Sequence, residues 1–332
     1  MASAEAQVAQ LEVLSPVGPC LAHHVGWIVD GSLYVHGGIN KVGSKSPSFR
    51  LHRFNFDDGT WTEVRSAGAP ALSHHACVVV SGRYVVIIGG WTGHERTADV
   101  HVFDMMASQW SAPRTMGFPA GAGLSSHAAA VLSSGNILVV GREGSLRMQR
   151  KFGSVFLLRG DPTVGDASTG LFTYSEFPLT TASRSGHSVH LAGSTLLVLG
   201  GRDDQLVERH AVEKGCDEPR CQTMLQLSQR LAAGTSSSMK QLNGRKQHAS
   251  VCSSGVVFLH GGWTFDGKTR DPVGGMYALL VKSGRWVSLG ESGVRRAGHV
   301  CCCDERRLVL HGGEGTRGAI HGTLHQLVIN SS

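Results

Sequence analysis

Six times along the chain an apolar, β-branched run stops at glycine. Five copies end in a glycine pair: SLYVHGG at Gly37 and Gly38, YVVIIGG at Gly89 and Gly90, TLLVLGG at Gly200 and Gly201, VVFLHGG at Gly261 and Gly262, RLVLHGG at Gly312 and Gly313. The remaining copy, NILVVGR, keeps Gly141 and carries Arg142 as its last residue. Successive first glycines are 52, 52, 59, 61 and 51 residues apart. Self-similarity at such a period means one supersecondary unit repeated, each copy too small to bury its apolar faces alone.

Other marks keep step with the glycines. A histidine stands 13 or 14 residues before each first glycine: His24, His75, His127, His187, His248 and His299. Three of them close an R-x-x-H pattern, with Arg184, Arg245 and Arg296. Another apolar run follows each glycine, and an aromatic often follows that: Trp61, Trp110, Tyr174 and Trp286. The runs are of strand length, rich in Val, Ile, Phe and Tyr. The expected fold is all-β: six four-stranded blades, a to d, stacked radially so that each covers its neighbour's face.

The double glycine after strand b and the spaced aromatics on strands c and d resemble the kelch repeat, over about residues 11–332. The resemblance implies a six-bladed kelch β-propeller. A WD-repeat reading needs a period near 40–45 residues, and no Trp-Asp dipeptide occurs. The sixth repeat stops at its third strand, HQLVI, while LEVLSPVG stands alone near the N-terminus. Residues 11–14 are therefore expected to supply the last blade's fourth strand, with residues 1–10 a flexible tail. Residues 213–244 break the pattern. There, Leu225, Leu231 and Ala232 indicate a short helical insert in blade four, with a Gly/Ser stretch behind it.

Several motifs read as chemistry and fail on context. GWTFDGKT, from Gly262 to Thr269, matches a phosphate-binding loop. That loop must open a helix, whose N–H groups face the phosphates. Here RDPVGGMY follows, with Pro272, Gly274 and Gly275, which a helix would not tolerate. One histidine per blade at one position reads as a structural element bonding backbone at the start of an inner strand, not as a metal ring. Cys216 and Cys221 lack the second pair a zinc site needs. No carboxylate pair, triad or cofactor loop is recognisable. No metal, no cofactor and no catalysis are expected.

What remains is a surface. In antiparallel blades the b–c and d–a loops share one side. They carry eighteen bases against eight acids, on a chain of net charge +6. The candidate partner-binding residues are Arg142, Arg147, Arg150, Arg184, Arg202, Arg245, Arg296, Arg317, Trp91 and Trp263, a mix suited to carboxylate capture and hot-spot contacts. The competing reading of the R-x-x-H arginines is that they brace neighbouring blades. The expected function is a non-catalytic interaction module taking a protein or peptide, for instance an acidic segment or a C-terminus. Kelch resemblance also admits a sugar-modifying enzyme, and arginine content a nucleic-acid platform. The latter lacks interleaved stacking aromatics, and nucleic acid is not expected. No apolar run reaches the ~20 residues of a membrane helix. MASAEAQVAQ has no signal-peptide features, and the run Cys301, Cys302, Cys303 suits small buried hydrophobes. The expectation is an intracellular monomer, cytoplasmic or nuclear, with no membrane partner.

Overall fold

The computed structural model describes residues 8–141, 154–163, 170–201, 207–216, 220–233, 238–239, 242, 244–265 and 271–330. Strand β1 spans Ala9–Ser15. Blade one holds β2 (Val25–Val29), β3 (Ser32–His36), β4 (Leu51–Asn55) and β5 (Thr60–Val64). Blade two holds β6 (Ala76–Val80), β7 (Tyr84–Trp91), β8 (Arg96–Asp104) and β9 (Gln109–Ser111). The connector strand β10 (Arg114–Met116) precedes blade three: β11 (Ala128–Val131), β12 (Ile137–Gly141), β13 (Ser154–Gly160) and β14 (Leu171–Glu176). Blade four holds β15 (Ser188–Ala192), β16 (Thr195–Leu199) and β17 (Val207–Ala211), then helix α1 (Gln222–Ala233). Short strands β18 (Ser238–Met239) and β19 (Arg245–Lys246) lead into blade five: β20 (Ala249–Ser253), β21 (Val256–His260), the short β22 (Trp263–Thr264), β23 (Gly275–Leu280) and β24 (Arg285–Glu291). Blade six holds β25 (Val300–Cys303), β26 (Leu308–His311) and β27 (Leu324–Ile329).

This is the six-bladed all-β propeller. Six apolar clusters fill the six interfaces between neighbouring blades. Burial of β-branched and aromatic side chains between blades is the main stabilising contribution. β1 pairs antiparallel with β27, from Ala9 opposite Ile329 to Ser15 opposite Leu324, and so completes blade six. The strand begins at Ala9, so Ala9 and Gln10 belong to the sheet and not to a tail.

Blade four has three strands among the described residues. Among the described residues, the chain that leaves it does not return to its outer edge. α1 instead packs Met224, Leu227 and Leu231 into the core shared by blades five and six. β18 then adds to the outside of blade five, beside β24. The buried helical positions are i, i+3 and i+7, one face of a 3.6-residue period. Leu225 and Ala232, two of the three residues that marked the helix in the sequence, fall off that face and are exposed.

The glycine pairs have a specific cause. A Cβ on Gly262 would stand 2.8 Å from the Lys246 carbonyl oxygen and 3.0 Å from the His248 Cβ, at a φ of +93°. A Cβ on the preceding first glycine of a pair would instead meet the next blade's histidine, as Gly89 meets His127. Five of the repeat histidines are thus seated between their own blade's second glycine and the previous blade's first, while His127 lies between Gly141 of its own blade and Gly89 of the previous one. Gly262→Val should cost about 2–5 kcal/mol, combining left-handed strain with overpacking. A urea melt checks this; a midpoint equal to that of the parent protein would refute the seating.

Candidate functional site

At the end of the ring where the b–c and d–a loops emerge, the chain enters each inner strand through a left-handed residue. These are His23, His74, Ser126, Gly186, Gln247 and Gly298, with φ between 55° and 69°. Their backbones form a closed circle around the axis. The N–H of His23 donates to the carbonyl of Gly298 (2.7 Å), His74 to His23 (2.9 Å), Ser126 to His74 (2.9 Å), Gly186 to Ser126 (2.8 Å), Gln247 to Gly186 (2.7 Å) and Gly298 to Gln247 (2.8 Å). One bond per blade satisfies both polar groups of each residue and offsets the left-handed strain.

A small cavity of about 90 Å³ opens at this circle. The His23 and His74 rings stack across it at 3.9 Å, and Gln247 donates to Ser126 Oγ at 3.0 Å. Burial, the largest cause, lowers His23 to about 4 and His74 to about 3. The mouth histidines are therefore uncharged at neutral pH.

Behind them lie the six repeat histidines, all buried. His24 bonds His311 at 3.1 Å, His75 faces His36 at 3.4 Å and His299 bonds His260 at 2.9 Å. His248 meets Ser188 Oγ at 2.9 Å, and His187 donates to the Val140 carbonyl at 3.0 Å. Each of these partners belongs to the preceding blade. The bond is thus an inter-blade one, made more often to a side chain than to backbone. Among the described residues no group of three or more His, Cys, Asp or Glu is arranged to hold a metal.

The candidate arginines separate. Arg184 is wholly buried; it donates to the Gly200 carbonyl and to Glu208 Oε1, the latter at 2.6 Å. Burial alone would raise Glu208, but the Ala182 N–H, His210 and Arg184 together hold it below its ordinary value. Arg245 donates to the Gly261 carbonyl at 3.1 Å and to the Tyr277 hydroxyl at 3.0 Å, with its guanidinium 4.6 Å from that ring's centre. Both arginines are buried and brace their own blade, as the competing reading of the R-x-x-H pattern has it, so they are not offered at the expected binding surface. Their carbonyl acceptor is the first glycine of the pair; their side-chain acceptor sits at one equivalent position on strand c.

In blade six that position is His325, opposite Leu310 as Tyr277 is opposite Leu259. Burial first, then Arg296 itself, lowers His325 to about 4, so it offers Arg296 no anion. Arg296 is half-buried; its Nη1 donates to the Arg295 carbonyl at 2.7 Å and its buried Nε has no acceptor. Arg96, at the start of β8, shares both traits: half-buried, with a buried Nε lacking an acceptor. Neither forms an ion pair among the described residues. Arg96 also lines a cleft of about 580 Å³ with Trp91, Glu95, Asp99, Met116 and Phe118. Trp91 stands directly opposite Arg96 in the β7–β8 ladder and exchanges two backbone bonds with Ser73. Trp263 pairs with Lys246. Arg317 is exposed, its backbone N–H bonded to Asp271. Arg142, Arg147, Arg150 and Arg202 lie outside the described residues.

Kelch domain-containing protein 9 of Homo sapiens is 31% identical over 306 residues, spanning 87% of this chain and 86% of that one. The chain belongs to the kelch-repeat family. Kelch domain-containing protein 9 of Mus musculus is 30% identical over 315 residues, 90% of this chain and 88% of that one. The KLHDC2/KLHL20/DRC7 kelch-repeats domain matches residues 4–159. The solved structure of YjhT superposes with a TM-score of 0.65 over 96% of this chain and 99% of its own, at 14% identity, which shows the shared fold. Kelch propellers serve in general as protein-interaction modules. Residues 266–270, within and just after the phosphate-loop-like match, lie outside the described residues; from residue 271 this kelch domain runs irregularly into strand β23, not into a helix. No helix among the described residues is long and apolar enough to cross a membrane.

Sequence reasoning singled out neither the circle residues nor Arg96. The circle carries no side-chain signature, since His, Ser, Gly and Gln all serve. The signal for Arg96 was its place beside Trp91 across the b–c turn.

Proposed function

We propose that this kelch domain is a non-catalytic interaction module that takes a protein or peptide partner on the b–c/d–a loop face, through a carboxylate of an acidic segment or a C-terminus. The observation that carries the reading is the pair Arg96 and Arg296. Both guanidinium groups are held at this face by packing, on the blades flanking blade one, and neither forms an ion pair with a carboxylate among the described residues. A half-buried donor without an acceptor is destabilising, and a charged ligand oxygen relieves it. The cleft beside Arg96 supplies apolar area in Trp91, Met116 and Phe118. Its Glu95 and Asp99 bias selection toward ligands that place their charge at the arginine and not along the cleft.

The test is binding of acidic and free-C-terminus peptides by fluorescence anisotropy, across a salt series. Arg96→Glu and Arg296→Glu should each weaken binding about ten- to a hundredfold, the worth of one charged hydrogen bond. Affinity of the parent protein should fall as salt rises. C-terminal amidation of the peptide separates the two carboxylate sources. Arg184→Glu serves as the contrast: it should unfold blade four, because Glu208 would face a second buried acid. Unchanged affinity in both surface variants sinks the reading.

A further inference from the structure

Blade four lacks a fourth strand among the described residues, and the described chain that follows β17 is used elsewhere. It runs first to blade three, where the Ser133 N–H donates to the Lys214 carbonyl at 2.8 Å and the Cys216 N–H to the Val131 carbonyl at 3.2 Å. It then enters α1 beneath blades five and six, and β18 on the outside of blade five. β17, Val207–Ala211, is left as an edge. The Val212 N–H donates to the Ser194 carbonyl at 2.9 Å, which fixes the alternation of the ladder. Glu208 and His210 turn their N–H and C=O groups inward to β16, while Val207, Arg209 and Ala211 turn theirs outward. In blade one the equivalent residues, Leu51, Arg53 and Asn55, face Val64, Thr62 and Thr60 of β5. Among the described residues the outward groups of β17 meet no strand, and Arg209 and Ala211 are exposed.

We propose that this edge docks an extended segment of a partner protein, which adds antiparallel to β17 as the fourth strand and carries an aromatic residue immediately before an acidic one. Strand addition of this kind draws affinity from main-chain hydrogen bonds and specificity from alternate side chains. Phe54 and Phe103 stand opposite Leu33 and Val85, four residues before the first glycine of each pair. The fourth-strand Trp61 lies opposite Phe54, 5.1 Å from its ring and 4.9 Å from that of His311 in the preceding blade. Trp110 repeats this in blade two, 4.9 Å from Phe103 and 4.8 Å from His36. The equivalent position in blade four is His210, opposite Leu196. An aromatic placed opposite His210 lies toward blade three, where Phe177 and Leu179 are only partly buried. The next residue of the incoming strand faces Arg209.

Arg209 is poised for a carboxylate. Its Nη1 donates to the Val281 carbonyl of blade five at 2.9 Å, which fixes the guanidinium, and it forms no ion pair among the described residues. Opposite charges directly across a ladder attract, so an acidic residue belongs there. The position after it faces Glu208, whose carboxylate is already shared by Arg184 and His210, and takes an uncharged residue. This surface lies on the outer rim of the ring and is independent of the loop face around Arg96 and Arg296.

The probe is a labelled peptide that copies β5 with the order of Thr62 and Glu63 reversed: Gly-Ser-Thr-Trp-Glu-Thr-Val-Ser-Gly, acetylated and amidated. It is titrated with the full chain and read by fluorescence anisotropy; saturable binding is expected. A methyl on the backbone nitrogen of the glutamate removes the N–H that faces the Arg209 carbonyl, and should weaken binding about tenfold. The same methyl on the following threonine points away from β17 and should change little. Arg209→Glu should also weaken binding about tenfold, by setting like charges opposite each other. Ala211→Pro deletes one outward N–H at an edge position, where proline is tolerated, and should weaken binding without lowering the melting temperature. If that variant is destabilised, the two methylated peptides decide the matter on the unaltered protein. Absence of saturable binding overturns the proposal, and so does an equal loss from the two methylated peptides. A loss in Arg96→Glu as large as that in Arg209→Glu would put the peptide on the loop face and overturn it too.

Discussion

Acidification from pH 7.5 to pH 5 should unfold this protein cooperatively. His24, His75 and His299 are held well below their ordinary value, chiefly by burial and then by neighbouring histidines. Burial is also the first cause for His36, His187, His248, His260 and His311, each lowered to about 3, and for His127, lowered to about 4. In the unfolded chain these nine side chains titrate near 6.5. Below that pH the unfolded state binds more protons than the folded one, so stability is complete above about 6.5 and is lost as pH falls toward 4 and 3. Each group adds about 1.4 kcal/mol per pH unit once well below 6.5, so nine remove on the order of 10 kcal/mol by pH 5.5. A domain stabilised by about 5–15 kcal/mol does not survive that loss. Tryptophan fluorescence and circular dichroism against pH should give one transition centred above about pH 5. Carboxylates with ordinary values cannot produce a transition so high. Native spectra at pH 4.5 would show that the histidines find protonated partners, and the neutral inter-blade pairing would be wrong.

Removing residues 1–16 should be nearly as damaging. It deletes β1, leaves the whole outer edge of β27 unpaired, and strips Ala9 from the core that α1 also fills. The lost ladder bonds alone amount to roughly 4–8 kcal/mol at about 1 kcal/mol each. The exposed edge should also drive association. Size-exclusion chromatography and thermal melts of the two truncations decide the matter. Deleting residues 1–7 keeps Val8, whose carbonyl accepts from the Asn330 N–H at 3.0 Å, and should change little. If the longer truncation melts as the full chain does, the closing strand contributes nothing.

The repeat was legible because its constraints are steric and local. Glycines that must pass a neighbour's histidine, and apolar runs that must fill two faces, leave marks at fixed spacing. The closing strand was legible as a fourth strand without a blade. The axial circle was not, because only its N–H and C=O groups are used. The docking place of α1 was not, because Met224, Leu227 and Leu231 specify an apolar face without specifying what covers it. The R-x-x-H arginines misled for a similar reason. Whether such an arginine is locked inside or left at the surface depends on strand c, where blade four has Glu208, blade five Tyr277 and blade six His325. Nothing in the three-residue spacing reports that choice.

The pairing of β1 with β27 has a consequence for biosynthesis. The strand that finishes blade six is translated before any of the blades, and its partner, Leu324–Ile329, after the other five blades. At roughly 5–20 residues per second, ~15–60 s separate the two. Throughout that interval every completed blade has somewhere an uncovered neighbour, and β1 carries exposed Val13 and Leu14 beside unpaired backbone. Until Leu324–Ile329 emerges the nascent propeller therefore presents a sticky edge, and a chaperone that shields Ala9–Ser15 would protect the whole ring. Ribosome pausing late in the message should lower soluble yield more than the same pause near the start.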